Sequence, residues 1–551
     1  MMSKLKTAIQ AFINYLRRDE KLRAKLKAEW GKPKETYFSF GLIEKYFSSK
    51  PSDPGPYTLG ERAVDDLDFH AFFSFVDRTN SAIGQQYLYY RLRHLNQPKA
   101  ELEKLEEQIN YYVQDEERRI NIQQLLLKVS TTKDYYFPDI LYGSLPAKLR
   151  YLWLIRLLQI LFFAGLLASL IHKMFFIPLL LVFAINVFLH YQHKNRIGNF
   201  AIIFGRLRYL TQLSRKLLKY TPKSAEEQEE GLKKIKKIEK ITTKIDFLKT
   251  DRLQETEVTA IAWYVLELIK VVTLSEIITF DAILDDLKTS RKEIEHLFVF
   301  VAEMDMAISI ASLRAGLPFY TQPNFVDAQK EIQFVSLYHP LVKACVENDL
   351  HLKGRSLLLT GSNMSGKSTF IKAINLNVIA AQTLNTSFSK LCKIPPLAIA
   401  TSIKIEDSLL EDKSYYMEEV NAIGRLIELS DNQDSQVLFT IDEVFKGTNT
   451  IERVSAAKAI LTYLSKGKHI VLVSTHDIEL TQLLAGGYDL YYFQERIENQ
   501  SLSFDYTLRQ GALKKKNAIH ILEIAGYPTE IIAEAKDLAA KFEQEKIKPI
   551  L

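Results

Sequence analysis

Apolar and polar positions fall into three regimes along this chain. In the first, Leu5, Ile9, Phe12, Ile13, Leu16 and Leu22 stand among lysines and arginines. That spacing predicts a basic amphipathic helix over residues 1–30, suited either to an anionic membrane or nucleic acid or to ordinary packing on the next domain. Pro51-Ser52-Asp53-Pro54-Gly55-Pro56 breaks the pattern and reads as a linker. From Asp65 to Val129 helical periodicity resumes. Phe72, Phe73, Phe75, Tyr87, Tyr89 and Tyr90 recur there at spacings that suit core packing better than base stacking.

The second regime is apolar on every side. Leu157–Ile171 and Met174–Tyr191 carry no charge, and only His172-Lys173 separates them. Each run falls a little short of the roughly 20 residues that cross a bilayer. The first lengthens back to Tyr151 if Arg156 extends its head to the interface. The missing polar face predicts a transmembrane hairpin over residues 151–194 rather than a buried soluble one. Lys148, Arg150 and Arg156 stand before the pair and Lys194 and Arg196 after it. That distribution places both ends in the cytoplasm and the tip outside, with Tyr151, Trp153 and Tyr191 at the interfaces. Beyond the hairpin, Gly231–Lys240 reads as a solvated charged face. Glu267, Lys270, Glu276 and Asp281 interrupt the apolar run from Ile261 to Leu284, which predicts a core helix and not a third span.

The third regime is one of short strands. Glu331–Val335 alternates and His339-Pro340 ends it. Leu357–Thr360, Val437–Ile441 and Ile470–Val473 are apolar runs of the kind buried on both faces of a parallel sheet. An α/β domain over residues 326–510 follows, preceded by helical segments at 57–150 and 195–325 that flank the hairpin.

Composition adds bounds. The 551 residues allow roughly two to four domains. With 47% hydrophobic and 25% charged residues, wholesale disorder is excluded. Residues 1–50 hold 12 Lys/Arg against 5 Asp/Glu, more than the whole net charge of +6, so the rest is close to neutral. Two cysteines, Cys345 and Cys392, fit a reducing compartment. The first 30 residues mix charges throughout, so no cleavable signal peptide is expected.

The chemistry is concentrated after residue 350. Gly361-Ser362-Asn363-Met364-Ser365-Gly366-Lys367-Ser368-Thr369 is a full G-x-x-x-x-G-K-[ST] phosphate loop between a strand and a helical pattern. In that context backbone N–H groups and a helix N-terminus aim at phosphate oxygens. Lys367 reaches the terminal phosphates and the Ser368 hydroxyl ligates Mg²⁺. Asp442-Glu443 closes the apolar run 437–441. Asp442 is placed to hold Mg²⁺ and Glu443 to polarise an attacking water. His476 tips the next strand, at the edge where open sheets bind ligands, and can hydrogen-bond the γ-phosphate. Between the two strands, Lys446-Gly447-Thr448-Asn449-Thr450 makes a turn with a capping residue. A helix follows with Ile451, Val454, Ala457, Leu461 and Leu464 on one face and Gly467 at its end.

This set of motifs resembles the MutS family of DNA mismatch-repair ATPases. Residues 360–369 look like that family's TGPNMGGKST loop, with serine at two of its positions. Asp442–Thr450 is similar to DEIGRGTST, and Ser474-Thr475-His476 to ATH. Ser414–Glu419 resembles STFMVE, which implies that Ser414 reaches the nucleotide of an opposite subunit. Less sharply, Arg78–Gly84, Asp305–Ala311 and His339-Pro340-Leu341 look like the family's helical core and its junction with the ATPase. Asn517–Glu530 resembles its dimerising helix-turn-helix, placed here at 511–551. The resemblance implies an ABC-type P-loop ATPase domain behind an all-α core and lever. It implies ATP and Mg²⁺ as cofactors, a homodimer with composite ATP sites, and DNA as partner. Closure of that dimer would move the lever helices, and hydrolysis would reset them. Residues 1–64 leave no room for a mismatch-reading or connector domain, and the interval 199–310 is barely long enough for the levers. Mismatch recognition is therefore not expected, nor is an Smr-type nuclease.

Three functions are compatible with these readings. One is a DNA-binding ATPase of the repair or recombination class, membrane-associated through residues 151–194 with its ATPase domain in the cytoplasm. The second is a membrane-anchored mechanical switch acting on an unidentified protein or lipid partner without DNA. A transporter ATPase ranks last, because one hairpin makes a poor translocation path and no LSGGQ-like signature occurs.

Overall fold

The computed structural model describes residues 18–546, apart from 52–54, 56, 223, 249–256, 363, 405–414, 433, 446–448, 499–500, 514–518, 520–521 and 524. Ser414, Asn363, most of the basic N-terminal helix and part of the linker thus lie outside the described residues. The chain divides into two compact units. One takes the described residues of Met1–Asp53, Val76–Tyr90 and Lys104–Gly316; the other takes those of Pro54–Phe75, Arg91–Glu103 and Leu317–Leu551.

Helices build the first unit, and its core runs along the helix Arg291–Gly316, which buries Ile294, Phe298, Val301, Ile308 and Leu313 among others. Tyr46 stacks on Phe298 with ring centroids 4.7 Å apart, and Tyr87 and Tyr89 are buried, so these aromatics are core. Asp305, wholly buried, accepts hydrogen bonds from the Asn80 and Ser81 amides at 2.8 Å each and from the Ser81 hydroxyl at 2.6 Å. Gly84 lies against it, and a Cβ there would sit 2.3 Å from an Asp305 carboxylate oxygen. This contact explains physically why glycine and the Asn-Ser pair stand in the segment 78–84.

The apolar hairpin forms as two helices, Leu152–Ile171 and Phe176–Leu217, joined by a short 3₁₀ turn. The second runs well past the apolar segment, so stem and helical unit share one continuous helix. Among the described residues three helices are long and apolar enough to cross a membrane, but they differ in surroundings. The window in Arg291–Gly316 is 78% buried, whereas those in Leu152–Ile171 and Lys173–Lys194 are 11% and 17% buried. The first is core; the hairpin turns large side chains such as Leu167, Leu170, Ile177, Leu181 and Phe188 outward. The run from Ile261 to Leu284 is not one helix. It breaks at Leu274, in the left-handed region at φ 46°, into Glu257–Thr273 and Ser275–Thr289.

The second unit is α/β. Its strands are β1 (Asn324–Phe325), β2 (Glu331–Leu337), β3 (Asn348–Lys353), β4 (Ser356–Thr360), β5 (Leu391–Ile394), β6 (Ala398–Ser402), β7 (Val437–Asp442), β8 (Ile470–Thr475), β9 (Tyr488–Tyr492), β10 (Glu495–Glu498), β11 (Ser501–Phe504) and β12 (Arg509–Gln510). Six form a sheet in the order β12-β9-β4-β8-β7-β6, parallel except for β12 at the edge. Four more form a smaller sheet, β1-β5-β2-β3. Leu357, Leu358, Leu359, Leu438, Phe439, Ile441, Val471, Leu472 and Val473 are fully buried, which is why these strands show apolar runs rather than alternation. The helix Thr450–Ser465 buries Ala457, Leu461 and Leu464. Ile451, expected on that face, is instead 81% exposed at the helix start. Residues 61–66 form a short helix whose Asp66 accepts from the Thr401 hydroxyl at 2.6 Å and the Lys404 amide at 2.8 Å, pinning the end of β6.

Candidate functional site

Parallel pairing fixes the site. The register Thr360↔Thr475 between β4 and β8, and Asp442↔Ser474 between β7 and β8, brings the carboxyl ends of three strands together. β4 runs into the phosphate loop, which turns through Gly366 at φ 98° to start the helix Lys367–Leu384. Gly361 is required by crowding, since a Cβ there would lie 2.7 Å from the Ser365 hydroxyl and 2.9 Å from the Phe493 carbonyl. Asn375 on the helix donates to the Thr440 hydroxyl at 2.8 Å, locking helix to β7.

Lys367 is buried, and its ammonium donates to the carbonyls of Gly361 at 2.7 Å and Ser362 at 2.8 Å. Ser365 caps the same Ser362 carbonyl with its hydroxyl at 2.7 Å. The Ser362 hydroxyl is buried without a hydrogen-bond partner among the described residues. Met364, at the tip, is 72% exposed, and Thr369 is exposed at the start of the helix. Opposite the loop, Asp442 receives two hydroxyls on its two oxygens, Ser368 at 2.5 Å and Ser474 at closer range. Ser368 and Asp442, named from sequence as metal ligands, thus meet side by side. Ser474 was not singled out as a site residue; its place directly opposite Asp442 in the sheet register is the signal that identifies it.

Glu443 follows β7 in the left-handed region at φ 64°, with its amide donating to the Ser474 carbonyl at 2.9 Å. The His476 Nδ1 atom lies 3.1 Å from its carboxylate. That hydrogen bond raises the His476 pKa above the ordinary 6.5, against the opposing effect of burial. Asp477 beside it is held by Arg453 in a two-pronged pair at 2.7 and 3.0 Å. Asn449 caps the helix that carries Arg453, accepting from the Glu452 amide at 3.0 Å. Glu443, His476 and Lys367, read as catalytic, are therefore grouped at one sheet edge.

A cavity of about 320 Å³ opens beside the loop, lined by His339, Gly366, Thr369, Phe370, Phe493 and Tyr506 among others. Burial, helped by the Lys372 charge, pushes the His339 pKa down to about 4, so its ring is neutral. Periodicity alone carried no signal for this cavity, whose walls come from segments well over 100 residues apart.

Among known proteins, residues 357–543 match the family model for MutS domain V. The DNA mismatch repair protein MutS of Methanothrix thermoacetophila is 30% identical over 265 residues, 46% of this chain and 30% of that protein. MutS of Petrotoga mobilis is 31% identical over 279 residues, 48% of this chain and 33% of its own length. The DNA mismatch repair protein MSH3 of Phaeosphaeria nodorum is 28% identical over 280 residues, 48% of this chain and 25% of its own. The matched region spans a third or less of each of these relatives.

Proposed function

This chain belongs to the MutS family, and we propose that it is an ATP-hydrolysing, dimeric DNA-repair-class protein tethered to a membrane. The observation that carries the hydrolytic reading is the convergence of Lys367, Ser368, Asp442, Glu443 and His476 around one phosphate loop. The residues fit Mg²⁺-ATP. The Ser362 hydroxyl is an unpartnered buried donor in the loop. One carboxylate with one hydroxyl is the sparse protein donor set Mg²⁺ favours, since it keeps waters and phosphate oxygens as its other ligands. Bound Mg²⁺-ATP supplies the phosphoanhydride and neutralises charge on the leaving phosphates.

The chain's own groups do the rest. Lys367 would exchange its loop carbonyls for phosphate oxygens, Ser368 and Asp442 would hold the metal, and backbone amides at the start of the helix Lys367–Leu384 would cradle the phosphates. Glu443 orients a water and takes its proton, while His476 positions Glu443 and contacts the γ-phosphate. A second subunit covering this face, with Ser414 reaching across as the trans contact, rests on the resemblance to the family. DNA as partner rests on the family and its repair proteins. The tether is supported by the outward-facing hairpin, and the basic residues flanking it at both ends support a cytoplasmic ATPase unit.

That same hairpin favours a second reading, in which the engine moves a protein or lipid partner and DNA is not involved. The deciding experiment compares homoduplex, mismatched and branched DNA binding by purified full-length protein in detergent with ATP, at two salt concentrations, alongside hydrolysis rates. Salt-sensitive binding that stimulates hydrolysis supports the DNA reading. Intact hydrolysis with no binding to any substrate leaves the membrane reading.

A further inference from the structure

We propose that the helix Glu257–Thr273 is a third membrane-embedded element, entering the cytoplasmic leaflet and turning back at Leu274 beside the base of the hairpin. The proposal rests on the reading of residues 151–194 as membrane-inserted. The helix is inverted relative to a soluble one. Ile261, Tyr264, Val265, Leu268 and Ile269 fall at i, i+3, i+4, i+7 and i+8, the stripe that normally packs inward, yet each is at least half exposed. Two of its charged residues, Glu267 and Lys270, point the other way and are buried.

The buried side is a polar seam shared with the hairpin stem. His190 Nε2 lies 3.1 Å from a Glu267 oxygen, and Lys194 donates to that oxygen at 2.5 Å. Lys270 pairs with Glu276, and His190 Nδ1 lies 3.6 Å from the other Glu276 oxygen. Two carboxylates, Glu267 and Glu276, face two ammonium groups, Lys194 and Lys270, around the His190 ring. In water this arrangement is unfavourable twice over, exposing apolar area and desolvating ions. In lipid both terms reverse, because intramembrane charges face inward and pair.

Depth follows from the contacts. Asn186 donates to the Val272 carbonyl at 3.3 Å and Gln159 to that of Thr273. Gln159 stands two turns into its helix, and Asn186 two turns before Lys194, so Thr273 lies about 10–12 Å inside the basic edge at 1.5 Å per residue. That is within one leaflet of a hydrocarbon core about 30 Å thick, and well short of crossing it. The turn itself is buried: Leu274 packs with Ile155 and Ile277, as backbone leaving a helix at membrane depth requires. The return helix Ser275–Thr289 then reaches that edge again, where Asp281 accepts from the Leu149 amide at 3.1 Å and Asp285 pairs with Lys148. The apolar stripe is thus continuous with the outward surface of the hairpin, and its occupant is the acyl chain region of the cytoplasmic leaflet.

The test uses full-length protein in vesicles, with Cys345→Ser and Cys392→Ala as background and one fluorescent label per variant. The labelled positions are Leu268→Cys, Val265→Cys as its independent second, Leu167→Cys on the hairpin and Lys233→Cys on the solvated helix Ala225–Leu248. Labels at 268, 265 and 167 are expected to lose most of their emission to nitroxide-bearing lipids and to resist iodide, with the reverse at 233. Hairpin quenching by lipid together with iodide quenching at 265 and 268 overturns the proposal and leaves the hairpin reading intact. Iodide quenching at 167 as well removes the hairpin reading and the proposal with it. Labels at 265 and 268 shielded from both quenchers identify a protein cover, such as a second copy, and equally overturn it.

Discussion

Glu443 occupies a backbone conformation that a glutamate adopts only under constraint, φ 64° one residue beyond β7, at a cost of order 1–3 kcal/mol. The constraint is the hydrogen bond its backbone N–H donates to the Ser474 carbonyl, and the result is a carboxylate close to His476. Glu443→Gln keeps that geometry and removes the base. Turnover is expected to fall by about 10²–10⁴-fold while ATP binding persists, so gel filtration with ATP should show accumulated dimers. Unchanged turnover would end the assignment of Glu443 as base; Lys367→Ala, by contrast, should abolish binding itself. His476 adds a pH signature. Its raised pKa means the ion pair stabilises the fold fully below pH 6.5 and loses that contribution as pH rises through the higher folded value. The paired imidazolium also withholds the carboxylate, so kcat should climb as pH passes above 6.5. His476→Gln should flatten that limb in a kcat profile, and an unaltered profile would show that the titrating group lies elsewhere.

At the scale of elements, the packing of residues 80–84 on the helix Arg291–Gly316 is decided by one carboxylate. Asp305→Ala would orphan the buried amides of Asn80 and Ser81, at about 1–3 kcal/mol each. Denaturant unfolding should show that loss as an earlier midpoint with hydrolysis per folded molecule unchanged. Gly84→Ala should destabilise too, by overlap with the same side chain. This logic also separates what was legible in sequence from what was not. The phosphate loop, Asp442-Glu443 and the apolar strands are contiguous signals, and β4, β7 and β8 stand where they were expected. The Glu443–His476 contact and the two hydroxyls on Asp442 depend on β7 pairing with β8 in one register, which no local pattern encodes. Residues 61–66 looked like part of a helical core because their helical pattern is real, but Asp66 carries them onto β6 through bonds to residues 401–404. The segment 261–273 misled for a related reason: charges within an apolar run announce amphipathicity, and only the fold reveals which face is inward.

At the scale of the whole molecule, two proposals constrain each other. A composite ATP site needs two subunits, so in detergent its assembly depends on bulk concentration. A membrane hairpin confines subunits to a surface, where encounter depends on lateral density instead. Specific hydrolytic activity in detergent is therefore expected to fall on dilution, as dimers dissociate. In vesicles at a fixed protein-to-lipid ratio, diluting the suspension should leave specific activity constant, while diluting the protein with extra lipid within the vesicles should lower it. Activity that tracks bulk concentration in vesicles would mean that the hairpin does not hold the subunits in one plane. Activity indifferent to dilution in both settings would mean either a site complete within one chain or a dimer that never dissociates, and sedimentation at the lowest concentration tells these apart. On these two proposals the tether would have a physical role whichever partner is bound: it would set how often two half-sites meet.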